Sequence, residues 1–141
     1  MAINEHPEIG SLVMCDFDEG FREPEMVKKR PVIVLSPKIS RRPRLCTIVA
    51  LSTTDPYPVM SYHAKIDVNP PLPAGLKSNG LWIKGDMVNA VGFHRLDLIW
   101  TGKDHTGKRQ YYLNTLSYDQ IKLVKTCVLN ALGLSALTKY L

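Results

Sequence analysis

The sequence predicts a mainly β domain with one C-terminal amphipathic helix, on three observations. Short apolar runs recur through the first two thirds of the chain, glycine and proline punctuate them, and helical spacing is sustained only after Ser117. With 141 residues and 45% hydrophobic content, residues 1–141 make one domain with a real core.

Residues 10–17 start at a glycine and carry Leu12, Val13, Met14 and Phe17, a first buried strand. Residues 18–29 are polar, with Gly20 and Pro24 as breakers, and read as a surface loop. A second strand spans residues 31–35. Pro31 cannot donate to a ladder and suits its first position, leaving Arg30 at the mouth. Residues 37–43 form a basic excursion, residues 44–52 a third strand ending in Ser52-Thr53-Thr54, and residues 60–66 a fourth. Residues 69–75 are a rigid loop, because Pro70, Pro71 and Pro73 remove donors and fix φ.

Residues 81–84 return as a strand, and residues 97–100 are expected to pair with 110–113 across a turn at Gly107. Ser117 and Gln120 make a capping box for a helix over 118–132. Ile121, Val124, Val128 and Leu132 share one face of it, and Gly133 stops it. Residues 134–141 are expected to add a short helical turn. Many strands and one helix suggest a small, strongly bent antiparallel sheet or half-open barrel with the helix packed on it.

The formal net charge of +5 permits a polyanionic partner. Cys15, Cys46 and Cys127 form no C-x-x-C pair and read as small buried thiols in a reducing compartment. No metal site or cofactor follows from the spacing of His6, His63, His94 and His105. No apolar run approaches the roughly 20 residues that span a bilayer, and the N-terminus lacks signal-peptide regions, so a cytoplasmic protein without a membrane partner is expected.

Arg30 at the start of one strand and hydroxyls at the end of the next suit a phosphodiester, the first supplying fixed charge and the second hydrogen bonds. Lys28, Lys29, Lys38, Arg41 and Arg42 flank that strand in sequence and are candidates to track phosphates, with Tyr57 and Tyr62 as stacking platforms. Asp86 reads first as a turn or cap residue.

Residues 10–13 leading to Asp16-Phe17-Asp18, then residues 29–37 around Arg30-Pro31, then residues 48–53 resemble, in order and spacing, the PemK/MazF family of toxins from toxin-antitoxin pairs. The resemblance thins after about residue 66. It implies an SH3-like barrel of the CcdB/MazF type, usually a homodimer, that cleaves single-stranded RNA without a metal and is neutralised by a cognate antitoxin. By position it makes Arg30 and Thr53 the catalytic pair, with Thr54 as the alternative register and Ser52 beside them. Glu25, with Glu23 nearby, is placed to accept the 2′-hydroxyl proton or to orient Arg30, the orienting role being preferred. Two other readings stay open: a noncatalytic nucleic-acid-binding barrel, and a CcdB-like toxin that binds gyrase. The loop 22–26, the prolines of 69–73 and the hairpin near Gly107 depart from the usual family pattern.

Overall fold

The computed structural model describes residues 2–73 and 75–141. Eight strands and one helix follow in order: β1 Leu12–Asp16, β2 Lys29–Val34, β3 Leu45–Ser52, β4 His63–Ile66, β5 Leu81–Gly92, β6 Leu96–Asp97, β7 Trp100–Lys103, β8 Arg109–Tyr111 and α1 Tyr118–Ala131. A 3₁₀ segment, Ser135–Tyr140, follows the helix and supplies the expected short turn. Among the described residues no helix is long and apolar enough to cross a membrane.

Six strands form one sheet in the order β4-β5-β3-β2-β1-β6, every pairing antiparallel, and β7-β8 form a separate ribbon. The sheet does not close into the barrel expected from the resemblance; β4 and β6 are its edges. The N-terminal segment takes the place beside β6. Ala2 bridges Asp97 and the Ile3 amide donates to the Leu96 carbonyl at 2.9 Å. Asp97 thus belongs to the β6 edge opposite Met14, so the expected hairpin over 97–100 and 110–113 shifts to Trp100–Lys103 and Arg109–Tyr111.

Successive strand residues point to opposite faces, and both faces of this sheet are buried. On one, Leu12, Ile33, Val49, Leu51, Ile66, Leu81 and Ile83 meet Val124, Cys127 and Val128 of α1. On the other, Val13, Cys15, Val32, Val34, Cys46, Ile48 and Ala50 pack with Phe17, Met26, Val91, Phe93 and Leu96. The three thiols are buried as expected, and burial pushes Cys15 up to about 12 and Cys46 and Cys127 to about 11. Leu72 carries the proline-rich loop into the first core, where the Ser78 hydroxyl accepts its amide at 2.7 Å.

The helix has the predicted start. Ser117 Oγ accepts the Gln120 amide at 3.2 Å and Gln120 Oε1 accepts the Ser117 amide at 3.1 Å. Gly133 follows its end with φ +74°. Leu132, expected on the buried face, is 63% exposed; it is the C-cap residue, and its amide still donates to the Val128 carbonyl at 3.1 Å.

β5 is far longer than residues 81–84. Ala50 pairs with Lys84 and Val49 with Val88, so Gly85, Asp86 and Met87 form a bulge opposite β3. A Cβ on Gly85 would stand 2.6 Å from the carbonyl carbon and oxygen of Cys127, so the helix backbone rests directly on this glycine. Gly85→Ala is expected to lower stability by about 1–3 kcal/mol, as overpacking against backbone does. Urea unfolding measures it, and a midpoint equal to wild type would show that the helix does not sit there.

Candidate functional site

Strand alternation and register assemble a polar row on the sheet face turned away from α1. Val32 pairs with Ala50, and counting two residues along the same ladder brings Arg30 level with Ser52. Ser52 pairs with Trp82, Trp82 with Lys65, and on the other side Arg30 pairs with Cys15. Lys65, Trp82 and Ser52 therefore lie side by side, as do Arg30 and Cys15, with paired strands roughly 5 Å apart, and the two groups stand on either side of the gap just beyond the last β2–β3 pair, Val32 with Ala50. One step along, Lys84 pairs with both Ala50 and His63.

Arg30 is half-buried, and its Nε donates to the Val27 carbonyl at 2.8 Å. That bond engages Nε, while neither Nη group makes a hydrogen bond to another described residue, which leaves an end-on fork of donors. Ser52 is buried, and its Oγ accepts the Thr54 amide at 3.1 Å, which leaves its own proton to donate. Thr53 and Thr54 are exposed where the chain leaves β3. The next residue pins this segment down: Asp55 Oδ1 accepts the Trp82 indole N–H at 2.7 Å, across 27 positions of chain. Lys65 Nζ stands 5.1 Å from the Trp82 ring centre.

Lys84 is held below the usual lysine range, first by burial; Asp86 opposes the shift, the Arg30 charge adds to it, and Asp55 opposes it. His63 is likewise lowered, first by burial, then by the Lys84 charge, with Asp86 opposing. Its Nδ1 accepts the Met60 amide at 3.0 Å, so the neutral ring carries its proton on Nε2. Arg30, Lys84 and His63 therefore form one electrostatic neighbourhood with Asp55 and Asp86. Burial by the sheet, not a close carboxylate, sets the ionisation of its lysine.

Of the residues the sequence singled out, Arg30, Ser52, Thr53 and Thr54 all lie at this end of the β2–β3 hairpin. Lys28 and Lys29 are exposed just before Arg30, Lys28 with φ +72°. Tyr57 is fully exposed two residues beyond Asp55. Lys38, Arg41 and Arg42 are not brought here. They occupy the β2–β3 turn, and Val34 lies four steps along β2 from Arg30, about 13 Å at strand rise, before that turn begins. Glu25 does not orient Arg30: one of its carboxylate oxygens accepts the Arg22 amide at 2.9 Å, and the Val27 carbonyl does the orienting. Lys84, Trp82 and His63 were not picked as site residues from sequence. Only Lys84-Gly85-Asp86, two charges around a glycine inside an apolar run, carried a signal for them.

The ring of His63 resists protonation in the fold more than in the unfolded chain. Its contribution to stability is thus present above about pH 6.5, the unperturbed histidine value, and is lost as pH falls below it. Urea midpoints measured from pH 7.5 to 5 should decline, and His63→Asn should flatten that decline. An identical profile in the variant would contradict the assignment.

Comparison with known proteins bears on the fold and the lineage of the chain. Residues 8–132 match the family described as PemK-like, MazF-like toxin of type II toxin-antitoxin system. An uncharacterized protein of Haemophilus influenzae is 29% identical over 97% of this chain and 98% of its own length. Among solved structures, a mycobacterial endoribonuclease in complex with its cognate antitoxin superposes with a TM-score of 0.59 at 19% identity, covering 92% of this chain and 97% of that one. MazF from Deinococcus radiodurans gives 0.56 at 18%, covering 90% and 96%. At those identities the structures establish the shared fold, and the match over residues 8–132 establishes the lineage: the chain belongs to the PemK-like, MazF-like toxin family of type II toxin-antitoxin systems.

Proposed function

We propose that this chain is a toxin endoribonuclease that cleaves single-stranded RNA by attack of the RNA's own 2′-hydroxyl, without a metal cofactor. It works in the cytoplasm as a homodimer and is restrained by a cognate antitoxin. The observation that carries the reading is the row in which Arg30, Ser52 and Lys84 share one sheet face at the mouth of the β2–β3 hairpin, with Thr53 beside them.

The chemistry follows from charge placement. RNA supplies the nucleophile, so the protein has to align the 2′-oxygen with the scissile phosphorus and stabilise the charge that builds on the nonbridging oxygens. Arg30 offers both Nη groups because Nε is already engaged by Val27. Ser52 and Thr53 add hydroxyl donors. The 2′-O–P bond forms as the P–O5′ bond breaks, leaving a 2′,3′-cyclic phosphate and a 5′-hydroxyl.

Arginine keeps its proton and is a poor base. Asp55 is engaged by Trp82, so Asp86 is the carboxylate of this neighbourhood left to take the 2′-hydroxyl proton, with Glu25, in the loop before Arg30, as the second. The Lys84 ammonium, held below its ordinary range, loses a proton more readily than a solvated lysine and protonates the departing 5′-oxygen. Lys28 and Lys29 receive flanking phosphates. The fully exposed Tyr57 ring offers a stacking surface to an unpaired base and a source of sequence preference.

Purified protein incubated with long single-stranded RNA in EDTA should produce fragments with cyclic phosphate and 5′-hydroxyl ends. Arg30→Ala should lower kcat about 10²–10³-fold, the usual loss for one transition-state donor. Arg30→Lys should restore little, because it keeps the charge and loses the fork. RNA binding with no cleavage, or inhibition of gyrase with no RNA turnover, would sink the proposal.

A further inference from the structure

The loop that the structure separates from Arg30 builds a second basic surface. A cleft of about 470 Å³ at the far end of the β2–β3 hairpin is lined by Lys38, Arg42 and Arg44, with His6 and Phe93 among its walls and Glu5 as the one carboxylate among its described lining residues. All three cations are exposed. None of them makes a side-chain hydrogen bond or ring contact with another described residue, whereas the aromatic part is fixed. The His6 and Phe93 rings are 6.1 Å apart, His6 Nε2 lies 3.5 Å from Ser36 Oγ, and that oxygen accepts the Thr47 amide at 3.0 Å.

The backbone adds an independent sign. Two non-glycine residues adopt positive φ among the described residues, Lys28 at +72° and Arg44 at +59°. Each is a cation, one beside Arg30 and the other in this cleft. A left-handed conformation costs a side-chain-bearing residue about 1–2 kcal/mol, and such strain concentrates where a residue's placement matters. At Arg44 it is held by the carbonyl, which accepts the Phe93 amide at 3.0 Å. The cleft also borders the sheet face that carries the Arg30 row, because Phe93 belongs to the core on that face.

We propose that this cleft is an RNA exosite: it takes a single-stranded segment distant from the cleaved bond, with phosphates on Lys38, Arg42 and Arg44 and a base against the His6–Phe93 wall. Cations around an aromatic surface are what single strands bind, through backbone charge and stacking together. A mononucleotide phosphate would leave most of the cations unused. The exosite rests on the nuclease reading and deepens it: cleavage proceeds at one end of the hairpin while a second stretch of the same strand is held at the other, so long RNA is preferred over short.

The test compares wild type with a Lys38→Gln, Arg42→Gln, Arg44→Asn variant. Asparagine is chosen at position 44 because it tolerates the left-handed conformation, and circular dichroism checks the fold; Arg42→Gln alone serves if the triple variant is unfolded. The variant should raise KM for a long unstructured RNA several-fold more than KM for a short oligonucleotide. By fluorescence anisotropy, the slope of log affinity against log salt on long RNA should fall by about 0.7 for each phosphate contact removed. Equal effects on long and short RNA with an unchanged salt slope would overturn the exosite even if cleavage stands. If wild type does not cleave RNA, the nuclease reading fails, and the anisotropy slope alone decides the exosite. Loss of binding to an acidic protein with RNA affinity intact would also overturn it.

Discussion

Strand β3 is buried on both faces over its last five residues, and that constraint organises the molecule. A strand apolar on both sides needs a layer above and a layer below. Helix α1 supplies one through Val124, Cys127 and Val128. The other is assembled from the loop after β1, through Phe17 and Met26, and from Phe93 in the 3₁₀ turn Phe93–Arg95 that follows β5. The polar row sits toward the end of the strands, where alternation that places Val32 and Ala50 under cover places Arg30 and Ser52 at its margin. A site at that margin gains partial desolvation from the core and remains open to a large ligand.

Partial burial explains the electrostatic character of the site. Lys84 and His63 are both shifted first by lost solvation and only second by charges, which marks a polar cluster set into a sheet and not a surface ion-pair network. Positive charge is concentrated there by strand register, with Asp55 committed to Trp82 and Asp86 carried on the bulge of β5. In the reaction proposed above, negative charge grows on phosphate oxygens, and a centre of this kind sets positive charge beside them.

The proline-rich loop and the β7–β8 ribbon have structural work to do. The proline-rich loop inserts Leu72 into the helix-side core, and its Pro70 carbonyl accepts the Tyr112 hydroxyl at 2.6 Å. The β7–β8 ribbon stands apart from the main sheet, and Tyr112, just beyond it, packs in that same core. These segments extend the fold without entering the row around Arg30. The charge pattern does reach both ends of the β2–β3 hairpin, Lys28, Lys29 and Arg30 at one and Lys38, Arg41, Arg42 and Arg44 at the other.

The first three strands, the capped helix, the buried thiols and the placement of Arg30 and the end of β3 at the same end of the β2–β3 hairpin were legible in the residues. Each is written in local patterns: a glycine before an apolar run, proline at a strand start, serine three residues before glutamine, and a hairpin that returns the chain to its starting end. The full extent of β5 was not legible, since Gly85, Asp86 and Asn89 interrupt its apolar pattern. A bulge anchored against Cys127 of α1 keeps it one strand. Nor was the separation of Lys38 and Arg42 from Arg30, because closeness in sequence says nothing about which end of a hairpin a turn occupies. The sequence by itself determined which segments become strands and helix and which residue types stand at their ends, because periodicity, capping and turn chemistry act over a few residues. Only the tertiary structure decided that the sheet stays open and that Trp82, Lys84 and His63 join Arg30, because cross-strand register is set by burying both faces of β3 at once.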